Sequence, residues 1–320
     1  MHKPKLLVTR KLPPAVEARI ARDYEATFNS TDVLRDGLAL AAAASGHQAI
    51  LLAAGDPFGA ETINALPASV KALATFSVGF DHIDIAAAKA RGIIVTNTPD
   101  VLTDATAEIA MLLILASMRR AGEAERMVRA RQWKGWAPTQ LLGLSVSHKR
   151  LGIFGFGRIG RRLAEMARGF RMEIHYHDIR QAPAELEQGA IYHAEEGPFL
   201  AACQVLSLNA PGGAATHKWL NAARIAQLPD KAVVVNSGRG TLVDDAALVA
   251  ALRSGKVAYA GLDVYAGEPD LHEGYYTAPN VVLLPHLGSA TVETRDAMGF
   301  RALDNLDAVF AGREPRDRVG

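Results

Sequence analysis

The chain has 320 residues, 49% of them hydrophobic, and 35 Lys and Arg against 34 Asp and Glu, a formal net charge of +1 at pH 7. That near balance leaves no cationic excess for counterion release, so a nucleic-acid partner is not expected. The length exceeds what one hydrophobic core usually fills, which points to two domains, and the single Cys203 rules out an internal disulfide or a cysteine metal site.

The first residues lead straight into a strand-like run at 6–9, without the apolar core of roughly 7–15 residues that marks a secretory signal. The longest apolar run, 109–116, is too short to cross ~30 Å of hydrocarbon. A soluble, cytoplasmic protein without a membrane partner is therefore expected. Strands are predicted at 5–9, 24–28, 49–53, 72–77 and 93–97, and helices at 14–22, 31–45, 60–66 and 85–91. A long helical stretch follows at 103–131. Its centre is apolar almost all round, so it should be buried on most sides, as helices in subunit interfaces often are.

The most informative stretch is Leu151-Gly-Ile-Phe-Gly-Phe-Gly-Arg-Ile-Gly160, a G-x-G-x-x-G pattern behind a predicted strand at 149–154 and ahead of a predicted helix at 161–170. Gly155 permits the tight turn, Gly157 lets the backbone approach a pyrophosphate, and Gly160 lets helix and strand pack closely, while the free amides of the helix N-terminus face the phosphates; Arg158 and Ile159, within the loop, are candidate cofactor-binding residues with these glycines. A second strand at 172–176 completes a βαβ unit. Asp178 lies 23 residues after Gly155, near the ~20 at which an acidic side chain accepts hydrogen bonds from an adenosine ribose. An aspartate there favours NADH and repels the 2′-phosphate of NADPH. Arg180, two residues on, can receive that phosphate, so NADP(H) stays open.

Further strands are predicted at 205–208, 232–236, 259–264 and 281–284, then a helix at 291–311 and a charged, loose end at 312–320. This alternation implies an α/β protein with parallel sheets covered by helices on both faces. Cys203, in an apolar segment, reads as a small buried hydrophobe. His175 and His177 flank a strand end without a third ligand in sequence, so no metal site is expected.

The segments Ser77-Val-Gly-Phe-Asp-His-Ile-Asp84, Thr96-Asn-Thr-Pro99, Ala105-Thr-Ala-Glu108, Gly155-Phe-Gly-Arg-Ile-Gly160, Asn236-Ser-Gly-Arg-Gly240, Gly261-Leu-Asp-Val264, Gly267-Glu-Pro269 and Pro285-His-Leu-Gly-Ser289 recur in this order. In order and approximate spacing the chain resembles the D-isomer specific 2-hydroxyacid dehydrogenases, most closely the glyoxylate/hydroxypyruvate reductase branch. The resemblance implies two doubly wound parallel-sheet domains. A Rossmann nucleotide domain, 100–288, would be inserted into a flavodoxin-like substrate domain formed by 1–99 and 289–320, with a homodimer built on the long helix. The chain stops without the regulatory extension of some phosphoglycerate dehydrogenases, so control by an appended domain is not expected.

Reduction of a 2-keto acid needs a fixed cation, a proton donor for the forming alkoxide and a positioned hydride. Arg239, between two glycines at a strand's C-terminal end, can grip a carboxylate bidentately, which lysine cannot. His286 also follows a strand, and its ordinary pKa of ~6.5 suits a group that gives and takes a proton. Its pairing with Glu268 is implied by the resemblance; the 18 residues between them say nothing about distance. Val78 and Gly79 can present amides to the substrate carboxylate, although without the resemblance they read as a plain turn. By resemblance, Thr106, Asn209, Pro211, Ser237, Gly238, Asp263, His286 and Gly288 lie along the cofactor, Asp263 at the nicotinamide carboxamide. Trp136 resembles an aromatic that some reductases place over the partner subunit's substrate; a tryptophan packed in the interface is the alternative. Two rivals remain open: oxidation of another small anion (phosphite, or formate, whose enzymes carry glutamine in place of Glu268) and a non-catalytic NADH-sensing module like the corepressors that resemble this family.

Overall fold

A computed structural model describes residues 3–320. In chain order its elements begin with β1 (Lys5–Val8), α1 (Pro14–Asp23), β2 (Glu25–Thr27), α2 (Gly37–Ala43), β3 (Ala49–Ala53), α3 (Ala60–Ala65), β4 (Ala72–Phe76), α4 (Ile85–Ala90) and β5 (Ile94–Thr96). Next come α5 (Thr103–Met118), α6 (Ala121–Arg129), β6 (Arg150–Phe154), α7 (Arg158–Gly169), β7 (Glu173–His177), α8 (Ala184–Glu187), β8 (Ile191–Tyr192), α9 (Glu196–Ala202) and β9 (Val205–Leu208). The remainder is α10 (Ala222–Gln227), β10 (Ala232–Asn236), α11 (Asp245–Ser254), β11 (Val257–Leu262), α12 (Glu273–Thr277), β12 (Val281–Leu283), α13 (Val292–Phe310) and β13 (Arg318–Val319). The chain divides into two compact units, Met1–Leu102 with Ser289–Gly320, and Thr103–Gly288.

The first unit holds a sheet in the order β13-β5-β4-β3-β1-β2. Its first five strands are parallel with flavodoxin-type order, and β13 is antiparallel to β5. The expectation of a loose end at 312–320 is corrected by that last strand. Val319 and Arg318 pair with Val95 and Thr96, while Asp317, 8% exposed, accepts from Arg301 Nη2 at 2.8 Å. Ladder bonds and a buried ion pair outweigh the polar composition that made the tail look solvated. The helix expected at 31–45 shortens to α2. Asp32 has a left-handed φ of +52° and binds Arg10 at 2.8 Å, so the helix starts only where Asp36 caps it through the Ala39 amide.

The second unit holds a fully parallel sheet in the order β12-β11-β10-β9-β6-β7-β8. Consecutive strand residues enter cores on opposite faces: Val205, Val233 and Val235 lie against α5 and α7, and Leu206, Leu208 and Val234 against α9, α10 and α11. Near-continuous apolar strands are what a sheet covered on both faces requires. Strand order reverses between β6 and β9, where ligands of doubly wound sheets bind at the strand C-termini. The expected long helix is two. It breaks at Arg120, whose φ is +53°, and the Met118 carbonyl is taken by the Leu144 amide at 2.8 Å instead of by a further helical turn. Among the described residues no helix is long and apolar enough to cross a membrane.

Candidate active site

The glycine loop occupies the end of β6 beside the reversal point. Gly155 has a φ of +90°, and a Cβ there would lie 2.5 Å from the Ala210 amide nitrogen, so only glycine fits. Gly160 is equally confined, 2.3 Å from the Gly155 carbonyl oxygen, whereas a Cβ on Gly157 would meet nothing within 4 Å. The loop is tight where it packs on protein and open at its middle glycine. Gly157 caps α7, which starts three residues earlier than the sequence indicated because the loop itself turns into the helix. The first amides of the helix therefore face the open side without acceptors in the helix.

Asp178 follows β7. One carboxylate oxygen accepts from the Phe156 amide at 2.7 Å and the other from the Ile179 amide at 2.7 Å, which places a negative charge against the glycine loop. Arg180 is exposed. Asn209 Oδ1 and Ser237 Oγ, at the ends of β9 and β10, are buried without a hydrogen-bond partner among the described residues. A Cβ on Gly238 would lie 3.4 Å from Asn209 Cα, so these two loops adjoin. Orphaned polar atoms beside an open glycine and a helix N-terminus suit a polar, phosphate-bearing cofactor. Pro211 is exposed and its carbonyl accepts from Thr216.

Arg239 stands on the turn after β10. The Asn236 side chain holds that turn from inside, donating to the Arg239 carbonyl at 2.8 Å and accepting from the Gly238 amide at 3.1 Å. Asn236 is fully buried, and sequence reasoning passed over it; an Asn at a strand end ahead of Ser-Gly was the available signal. A Cβ on Gly240 would sit 1.8 Å from the Tyr265 carbonyl carbon, so the Arg239 turn rests directly on the chain that leads to Glu268.

His286 Nδ1 lies 2.7 Å from Glu268 Oε2, and the other Glu268 oxygen accepts from the Tyr265 amide at 2.8 Å. Burial opposes ionisation of Glu268, but hydrogen bonds from His286 and Tyr265 and the nearby charges of His286 and Arg239 hold its pKa below the ordinary carboxylate range. An ionised carboxylate only accepts, so Nδ1 carries hydrogen and Nε2 is the nitrogen left for a substrate. His286 itself has a left-handed φ of +56°. Asp263 keeps it there: its carbonyl accepts from the His286 amide at 2.9 Å, and its carboxylate accepts from the Leu287 and Gly288 amides at 2.6 and 2.8 Å. Burial pushes the Asp263 pKa up. Thr106 Oγ1 closes the same turn by donating to the Gly288 carbonyl at 3.0 Å. Asp263 thus serves the turn that carries His286, a task its sequence position did not disclose.

A family model for the NAD-binding domain of D-isomer specific 2-hydroxyacid dehydrogenases matches residues 111–288. The chain belongs to that family. It is 45% identical over 316 residues to a glycerate dehydrogenase of Hyphomicrobium methylovorum, covering 98% of each chain. It is 39% identical to a glyoxylate reductase of Thermococcus litoralis, covering 99% of this chain and 97% of the relative. An NADPH-dependent glyoxylate/hydroxypyruvate reductase from Sinorhizobium meliloti, solved with NADP and malonate, superposes with a TM-score of 0.88 at 37% identity, covering 99% of this chain and 97% of that one.

Val78 and Gly79 are half-buried in the first unit. Trp136 is 84% exposed on the segment after α6, a helix that buries none of its residues. Cys203 is buried with its thiol on the Phe199 carbonyl, and burial pushes its pKa up. His175 is bonded to Glu173 at 2.6 Å and to His193 at 2.9 Å.

Proposed function

We propose that the protein reduces small 2-keto acids, glyoxylate and hydroxypyruvate among them, to D-2-hydroxy acids with a nicotinamide cofactor. The observation that carries this reading is the His286 Nδ1 to Glu268 Oε2 contact of 2.7 Å, with the Arg239 charge acting on the same carboxylate. The pair leaves Nε2 to donate a proton to the forming alkoxide and to take it back in the reverse direction. Arg239 grips the carboxylate and polarises the carbonyl. The amides of Val78 and Gly79 are proposed as further donors to that carboxylate, and Trp136 as an aromatic supplied across a homodimer contact.

The cofactor supplies the hydride when bound. The residues proposed to hold it are Gly155, Gly157, Arg158, Ile159 and Gly160 at the phosphates, Asp178 at the ribose, and Thr106, Asn209, Pro211, Ser237, Gly238, Asp263, His286 and Gly288 along its length. NADH is proposed as the preferred form, because the Asp178 carboxylate disfavours a 2′-phosphate; Arg180 is the residue that would admit NADPH. We assign the nucleotide role to 100–288 and the substrate role to 1–99 with 289–320, and propose a homodimer through α5, α6 and the exposed Val128, Trp133 and Trp136. The test is a panel of glyoxylate, hydroxypyruvate, pyruvate, formate and phosphite with NADH, NADPH and their oxidised forms. Turnover of the keto acids supports the reading; activity with formate or phosphite alone, or cofactor binding without any turnover, overturns it.

A further inference from the structure

In the turn after β4 three successive carbonyls are tied, two of them by side chains. The Ser77 carbonyl accepts from the Thr98 amide at 2.9 Å, the Val78 carbonyl from Asn97 Nδ2 at 2.8 Å, and the Gly79 carbonyl from Ser77 Oγ at 2.6 Å. In a planar trans peptide the N–H points away from the C=O. Tying the three carbonyls therefore fixes the peptide planes that carry the Val78, Gly79 and Phe80 amides, and none of the three amides has an acceptor among the described residues.

Behind the turn lies a chain of hydroxyls with one permitted direction. Ser77 has a single hydroxyl hydrogen, and it is committed to the Gly79 carbonyl. Towards Thr75, whose Oγ1 is 2.7 Å away, Ser77 must accept, so Thr75 donates. Thr75 must then accept from His82 Nε2, at 3.1 Å. Thr75 is fully buried, Ser77 is 7% exposed and Asn97 8%. All three groups sit in dry surroundings where a broken bond leaves an unpaired partner.

We propose that Thr75, Ser77 and Asn97 are positioning residues which set the Val78–Gly79 amides to receive a substrate carboxylate. This rests on the reading of the turn as a carboxylate donor. The residues act through the backbone, without touching substrate themselves, and Thr75 and His82 keep the Ser77 hydroxyl pointed at the Gly79 carbonyl. Losing one of these bonds frees a peptide plane to rotate, and the amide on it turns away from the carboxylate.

The test uses the full chain with Ser77→Ala, Ser77→Thr, Asn97→Ala and the isosteric Thr75→Val. Calorimetry with NADH and then oxamate, a keto-acid isostere that is not reduced, reads carboxylate binding whether or not the wild type turns over hydroxypyruvate. Expected are a tenfold or greater loss of oxamate affinity in Ser77→Ala, Asn97→Ala and Thr75→Val, NADH affinity within twofold of wild type, and recovery in Ser77→Thr, which keeps the hydroxyl. Where keto-acid turnover is present, the KM for hydroxypyruvate rises more than kcat falls. Wild-type oxamate affinity in Thr75→Val and Asn97→Ala, or equal losses of oxamate and NADH affinity, would overturn the proposal. Oxamate binding as expected without keto-acid turnover by the wild type would leave it standing and remove the reductase reading instead.

Discussion

Replacing Gly157 by alanine separates cofactor binding from folding in a way that its two neighbours in the motif cannot. At Gly155 and Gly160 a Cβ would press on backbone at 2.5 and 2.3 Å, so substitution there disturbs the fold. At Gly157 the backbone φ is −70° and nothing lies within 4 Å, so alanine fits without strain. The folding cost is limited to a poorer helix cap, ~1 kcal/mol at most, or ~2–4 °C in Tm for a unit of this size. The binding cost is larger. A methyl group occupies the volume that a pyrophosphate needs, and losing its charge-assisted amide contacts and the favourable helix end removes ~2–4 kcal/mol, roughly 30-fold to 1,000-fold in Kd. Calorimetry with NADH and a thermal melt of the same sample decide the matter. A Gly157→Ala protein that binds NADH within threefold of wild type would refute the placement of the pyrophosphate at this loop.

His286→Ala is expected to lower keto-acid turnover by ~10²–10⁴-fold while leaving NADH affinity in place, as general acid catalysis would require; stopped-flow hydride transfer and a binding titration read the two effects separately. Glu268→Gln replaces the acceptor-only carboxylate that holds His286 Nδ1–H, so the ring loses its fixed tautomer and keto-acid turnover should fall while NADH affinity is kept; wild-type turnover would exclude the pairing. The same variant has a stability signature. The Glu268 pKa is depressed in the folded protein, so its contribution is complete above the unfolded carboxylate value of ~4.5 and is lost as pH falls through the folded value. Urea midpoints of wild type and Glu268→Gln should therefore differ at pH 7 and converge as pH falls through the depressed folded value; a gap independent of pH contradicts the assignment. Asp178→Ala should raise kcat/KM for NADPH relative to NADH; if it does not, Arg180 becomes the residue that discriminates between them.

The nucleotide-binding half was legible because its signals are contiguous. A strand, three spaced glycines, a helix and an acid after the next strand are set by local backbone needs, namely a positive φ at Gly155 and close packing at Gly160. The alternation of apolar strands with helices likewise made the parallel sheets readable, since burial on both faces demands it. The positions of Arg239 and His286 at strand ends were visible for the same reason. Local pattern did not reveal which groups hold them.

Only the tertiary structure decided that Asn236 braces the Arg239 turn and that Asp263 clamps the left-handed His286 with both carboxylate oxygens. It also brought Glu268 to His286 across 18 residues, and turned the Asp178 carboxylate onto the Phe156 amide. The tail shows the limit from the other side. Its charged composition reads as solvated, yet Arg318–Val319 completes a sheet because strand β5 offers a free edge more than 200 residues earlier in the chain. Contacts of that separation depend on loop closure and register, which no window of local sequence encodes, whereas glycine geometry and apolar periodicity are properties of the window itself.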